Sequence, residues 1–107
     1  GVFTAMAGSS PAWFFQIVDD LAHAGVKHGL TKEQATKAAC STMLGSAAML
    51  SRTLEEGGHP AQLVDRVCSP GGTTIAGLLA AQAGGLGPAL VDAVDAVVAR
   101  DKELGHP

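Results

Sequence analysis

The chain has 107 residues, 47% of them hydrophobic and 16% charged, with a formal net charge of −3 and a pI of about 5.7. Such values describe one small globular domain and argue against disorder. With no basic stripe or aromatic platform, the chain does not read as a nucleic-acid binder. An apolar run of about 18 residues and a charged-then-apolar opening segment are both absent, so it reads as cytoplasmic with no membrane partner.

Residues 1–9 are small and turn-like. From Pro11 onward, Phe14, Ile17, Val18, Leu21, Ala22 and Gly25 recur at helical spacing. Pro11 suits a first-turn position, with Ser9 or Ser10 before it as cap, and Gly29 is the C-terminal stop. Thr31-Lys32-Glu33-Gln34 then fits a capping box. The helix it opens meets no strong breaker before Gly57-Gly58, and Ala35, Ala39, Met43, Ala47, Leu50 and Leu54 line one face. His59-Pro60 starts a short helix carrying Leu63 and Val64, which ends before Pro70. A further helix runs from the turn at 69–72 to Gly84-Gly85. Pro88 opens the last helix, with Leu90, Val91, Val94, Val97 and Val98 on one side, and Gly105 closes it. No segment alternates over enough residues to argue for a strand, so the fold class is all-α with about five helices.

The second helix has a geometric consequence. From Thr31 to about Glu56 it would span roughly 37 Å. A compact domain of this size has a radius of gyration of about 13 Å. A helix that long and that rich in small residues is better covered by a second copy than by its own chain. This predicts a homodimer of intertwined helices, unless Gly45 breaks the helix.

The chemistry-bearing residues are few. Cys40 and Cys68 are too few for a disulfide scaffold and have no partners at metal-ligand spacing; both read as small apolar residues, Cys40 in a core. His28, His59 and His106 fall near helix ends and His23 on the first helix, where they read as surface or dipole partners. Asp19 and Asp20 point apart on a helix and read as a solvated face. Trp13, beside Phe14 and Phe15, reads as core or interface. No P-loop, HExxH or nucleophile elbow is present. Gly85-Leu86-Gly87 precedes Pro88 between helices, so it is no dinucleotide fingerprint.

The most informative stretch is Val67-Cys68-Ser69-Pro70-Gly71-Gly72-Thr73-Thr74-Ile75-Ala76-Gly77-Leu78. Pro70 fixes one backbone angle and the glycines free those that follow. Thr73 or Thr74 can cap the next helix. A helix N-terminus flanked by Ser69, Thr73 and Thr74 suits a small carboxylate or phosphate. The same pattern also describes an ordinary capped turn between two helices.

These residues carry a family resemblance. His59-Pro60-Ala61-Gln62-Leu63 with the 67–78 stretch closely resembles the C-terminal domain of pyrroline-5-carboxylate reductase. Gly8-Ser9-Ser10-Pro11-Ala12 resembles that family's Gly-Ser-Gly-Pro-Ala opening, with Ser10 where Gly is usual and Trp13 where Tyr is common. Ala24-Gly25-Val26-Lys27, Gly29-Leu30, Asp92-Ala93-Val94 and Glu103-Leu104-Gly105 resemble its first and last helices. The resemblance covers essentially the whole chain.

The resemblance implies an intertwined helical dimerisation domain, similar to the C-terminal domain of 6-phosphogluconate dehydrogenase. Residues 1–107 are then one dimerisation and substrate-binding domain, with the N-terminal Rossmann domain absent from the chain. It implies NADPH- or NADH-dependent reduction of 1-pyrroline-5-carboxylate to L-proline, in proline biosynthesis, by the full-length enzyme. The chain alone would bind no cofactor and no metal and would be inactive. The implied partners are a second copy, or a higher oligomer of the full-length protein, and a small cyclic imine carboxylate. The substrate-binding residues would be Ser69, Gly71, Gly72, Thr73 and Thr74. In that family the N–H groups of Gly72 and Thr73 with the Ser69 hydroxyl would hold the carboxylate. The Thr74 hydroxyl would meet the ring nitrogen as the catalytic group. The alternative is a stand-alone helical dimerisation module without redox activity. A hydroxy-acid dehydrogenase domain ranks lower, because no motif surrounds Lys27, Lys32 or Lys37.

Overall fold

The computed structural model describes residues 1–105, and they form five helices with no strand among them. His106 lies outside the described residues. Helix α1 comprises Val2–Thr4, a π-helical stretch Ala5–Ser9 and Ser10–Lys27. It is followed by α2 (Lys32–Glu55), α3 (Pro60–Val67), α4 (Thr73–Ala83) and α5 (Leu86–Glu103). The all-α expectation holds, as do the boundaries of α2, α3 and α4 to within a residue or two.

The opening of α1 corrects the sequence reading. Residues 2–9 are helical, so Pro11 lies inside a helix and neither Ser9 nor Ser10 is its cap. A proline there lacks an N–H, and its ring crowds the carbonyl four residues back. The chain accommodates it by widening the preceding turn: the Ser10 N–H reaches back to the Ala5 carbonyl, an i→i−5 bond. The Ser10 hydroxyl donates to the Met6 carbonyl at 2.6 Å, which satisfies a buried polar group. The run of small residues before Pro11 permits this register, whereas the turn signal read from it does not decide the conformation.

The helix ends follow local chemistry. At the end of α1, Gly29 has φ 103°, the Leu30 N–H donates to the Gly25 carbonyl at 3.0 Å and the Gly29 N–H to the Val26 carbonyl at 3.0 Å. This Schellman closure needs a left-handed residue, which glycine supplies without a Cβ penalty. The capping box opens α2 as expected. Thr31 Oγ1 accepts the Gln34 N–H at 3.1 Å, and Gln34 Oε1 accepts the Thr31 N–H at 3.0 Å. Helix α2 continues through Gly45 without a break, and its 24 residues span about 36 Å. At the far end, the Gly58 N–H donates to the Thr53 carbonyl at 2.9 Å, with Gly57 left-handed. Helix α5 begins at Leu86, two residues before Pro88, which sits in its first turn.

The chain divides into two compact units. One comprises Gly1–Ala12 with the chain from Cys68 onward. In it, the first turns of α1 and helix α4 pack on α5. The other is Trp13–Val67. In that unit α2 packs on α3. Gly25 brings α1 against α2 at Ala35: a Cβ added at Gly25 would stand 2.9 Å from the Ala35 Cβ.

One chain encloses little apolar surface. Among the described residues the buried hydrophobic ones are Ala5, Ala22 and Ala35, and no larger side chain is fully buried. Phe14, Leu21, Leu54, Leu90 and Val91, which the spacing places on apolar helix faces, are exposed. Cys40 is exposed too, against its reading as core. The helical periodicity marks which face is apolar, but not which surface covers it.

Candidate functional site

The candidate site is the loop that enters α4. Ser69 to Gly72 form a tight turn in which the Gly72 N–H donates to the Ser69 carbonyl at 3.1 Å. Gly71 has φ +70°, a left-handed conformation that explains its glycine. Gly72 is extended, with φ −84° and ψ 179°, and is itself the N-cap of α4. No side chain caps this helix, and Thr73 and Thr74 are its first two residues. The expectation that Thr73 or Thr74 is the cap is therefore corrected. The turn places the residue before them in the cap position, because Gly72 is already extended there.

This shift changes what the loop can do. The first N–H groups of a helix have no intrahelical partner, and the helix dipole adds partial positive charge there. In α4 these groups belong to Thr73, Thr74 and Ile75. The N–H of Gly72, which the resemblance names as a carboxylate donor, is engaged inside the turn. Ser69, Gly71, Thr73 and Thr74 are exposed. The loop thus gathers hydroxyl and N–H donors and no carboxylate, and it suits an anion. Cys68 at its start is half-buried.

One relation in the loop had no signal in the sequence. A Cβ added at Gly72 would clash with Ser69 Oγ, and would lie 3.3 Å from the Ser69 carbonyl oxygen.

The remaining titratable residues sit elsewhere. In the unit Trp13–Val67, the Lys32 ammonium donates to Asp19 Oδ1 at 2.7 Å, and His23 Nδ1 lies 3.6 Å from Asp19 Oδ2. The Lys32 hydrogen bond holds the Asp19 carboxyl below its ordinary range. The spacing of Asp19 and His23, one turn apart, is a sequence signal; the approach of Lys32 across the α1–α2 connection is not. Asp20 accepts from Gln16 at 2.9 Å on a solvated face, as expected. Among the described residues no cluster of His, Cys, Asp and Glu could hold a metal ion. No single described helix is long and apolar enough to cross a membrane.

The same unit carries two open apolar grooves. One, of about 660 Å³, runs along α1 and α2 past Phe14, Leu21, Leu30, Met43 and Leu50. The other, of about 540 Å³, lies between α2 and α3, lined by Met49, Leu50, Leu63, Val64 and Val67.

Comparison with known proteins bears on this geometry. Residues 1–104 match the family described as pyrroline-5-carboxylate reductase dimerisation. The chain is 43% identical over 102 residues to pyrroline-5-carboxylate reductase of Synechocystis sp., covering 95% of this chain and 37% of that protein. It is 45% identical over 103 residues to the enzyme of that name from Arabidopsis thaliana, covering 96% and 36%. Two solved structures share the fold. The 1-pyrroline-5-carboxylate reductase of Streptococcus pyogenes superposes with a TM-score of 0.86 at 40% identity, over 95% of this chain and 38% of that one. The pyrroline carboxylate reductase of Plasmodium falciparum, with NADP bound, gives a TM-score of 0.90 at 31% identity, over 97% and 41%. The chain thus spans little more than a third of the length of these relatives.

Proposed function

Because this chain belongs to the pyrroline-5-carboxylate reductase dimerisation family, we propose that it is the substrate-binding and dimerisation part of an enzyme that reduces 1-pyrroline-5-carboxylate to L-proline with NADPH or NADH. The observation that carries this reading is the turn of Ser69 to Gly72 opening directly into Thr73 and Thr74 without a side-chain cap. The donors needed for a carboxylate are thereby left facing outward.

In this reading the Ser69 hydroxyl and the N–H groups of Thr73 and Thr74 hold the substrate carboxylate. The Thr74 hydroxyl meets the ring nitrogen and orients it. Gly71 lets the backbone turn. The work of these residues is positioning, which suits a loop that holds no general acid or base.

The residues described here do not fit a dinucleotide. The fingerprint for one requires a glycine turn after a strand, and the described residues contain no strand. The Gly85–Gly87 glycines sit at the entry to α5 instead. No step through the cofactor is assigned to this chain, and its binding falls to another part of the full-length enzyme.

The second copy follows from the apolar surface. With alanines the only buried apolar residues among those described, α1, α2 and α3 present their apolar faces outward, and a homodimer that covers them would bury roughly 2,000 Å² or more in total. Light scattering at micromolar concentration is expected to give a dimer or a larger multiple; a monomer mass would refute this part. In the full-length enzyme, Ser69→Ala and Thr74→Ala are expected to lower kcat/KM for the imine acid about ten- to a hundred-fold, with cofactor affinity nearly unchanged. Equal loss of cofactor affinity would refute the assigned roles. A full-length protein with no imine reduction at all would leave the stand-alone dimerisation module as the reading.

A further inference from the structure

Two glycines stand side by side in the loop, and they are glycine for different reasons. Gly71 has φ +70°, where any side chain is strained. Gly72 has φ −84° and ψ 179°, ordinary extended backbone open to every residue. Its conformation gives no reason for glycine. Its surroundings do. A Cβ at 72 would clash with Ser69 Oγ, while the Ser69 Cβ itself is 3.7 Å away, an ordinary contact. The backbone nearest that point is the Ser69 carbonyl oxygen at 3.3 Å, which asks for a shift of only a few tenths of an ångström. The atom that must leave is therefore the hydroxyl oxygen, and it leaves by rotation about one bond to another staggered position.

We propose that Gly72 is a positioning residue: its missing side chain is the space that holds the Ser69 hydroxyl in the rotamer facing the first turn of α4. This rests on the reading above, in which that hydroxyl binds the substrate carboxylate. Any side chain at 72 turns the hydroxyl away while leaving the fold in place. The loop then keeps its N–H donors and loses its one serine donor, just as if Ser69 had been removed.

This gives a double-mutant test with a distinct signature. In the full-length enzyme, Ser69→Ala, Gly72→Ala and the pair are compared by steady-state kinetics against the imine acid, with thermal melts alongside. Ser69→Ala is expected to raise KM about tenfold or more with kcat much less affected, since a group that binds ground and transition state alike acts on KM. Gly72→Ala is expected to raise KM by a similar factor, with a melting temperature close to that of the unchanged protein. The pair is expected to be no worse than Ser69→Ala alone, because removal of the Ser69 hydroxyl leaves room for the new methyl.

Three results overturn the inference. One is a further KM increase of about threefold or more when Gly72→Ala is added to Ser69→Ala, which would mean that the methyl blocks the substrate itself. Another is an unchanged KM in Gly72→Ala. The third is a large drop in melting temperature in Gly72→Ala, which would make the glycine structural. If Ser69→Ala alone leaves KM unchanged, the assignment of Ser69 under the proposed function fails, and the role of Gly72 fails with it.

Discussion

The substitution Gly25→Ala sets two effects of opposite sign against each other at one position. Gly25 lies within the last turn of α1, and alanine is a better helix former than glycine by about 0.8–1.0 kcal/mol in a helix interior. Propensity alone therefore predicts a more stable protein. Packing predicts the reverse. The new Cβ would stand 2.9 Å from the Ala35 Cβ and 3.4 Å from Leu30 Cδ1, whereas carbon atoms prefer about 3.5–4.0 Å. Leu30 is exposed and can turn away. Ala35 cannot. It is 4% exposed, and its N–H donates to the Thr31 carbonyl at 3.0 Å within the capped first turn of α2. The start of α2 must move instead, and forced core contacts of this kind cost about 1–3 kcal/mol. The expected net effect is a loss of about 1 kcal/mol, or ~4–8 °C in melting temperature for a domain of this size. A thermal melt at fixed protein concentration measures it. Gly25→Ala with Ala35→Gly should recover part of the packing loss relative to Ala35→Gly alone. A melting temperature that rises on Gly25→Ala would refute the packing argument and leave propensity as the only effect.

Three further outcomes are expected. Thr31→Ala removes half of a two-way capping box and should destabilise the protein by about 1 kcal/mol, read as a shift in denaturant midpoint; an unchanged midpoint would mean that α2 needs no cap. Gly71→Ala, at φ +70°, should cost about 1–2 kcal/mol, in contrast to Gly72→Ala, and equal melting temperatures for the two would contradict the backbone assignment. Asp19 has its folded pKa lowered, chiefly by the Lys32 hydrogen bond, so its contribution is present above the unfolded value of about 3.9 and is lost as pH falls through the folded value. The midpoint difference between the unchanged protein and Lys32→Met should therefore shrink between pH 6 and pH 3, and a difference constant across that range would remove Asp19–Lys32 as its cause.

The sequence by itself determined what depends on neighbours along the chain. Thr31 and Gln34 close a hydrogen-bonded ring within four residues, so their spacing is enough to place the start of α2. Gly29 and Gly57 stop helices because left-handed backbone is a property of the residue, and the turn before Thr73 is legible for the same reason. The family was legible too, since its motifs are contiguous and lie in order along the chain. Periodicity showed that the helices have apolar faces.

The tertiary structure decided what depends on space. Pro11 marks a helix start in most sequences, and here a π turn carries the helix through it, because the preceding turn widens to spare the carbonyl. The threonines were legible as candidate caps, yet the turn hands that position to Gly72, one residue earlier. Gly25 against Ala35 joins residues whose sequence separation predicts nothing about their 2.9 Å approach, and the same holds for Lys32 on Asp19. The glycine at 72 is the sharpest case: its backbone angle does not require glycine, and the clash of an added Cβ with the Ser69 hydroxyl cannot be read from spacing. Hydrogen bonds between near neighbours can be read from spacing, but the filling of space by atoms brought together through folding can be read only from where they stand.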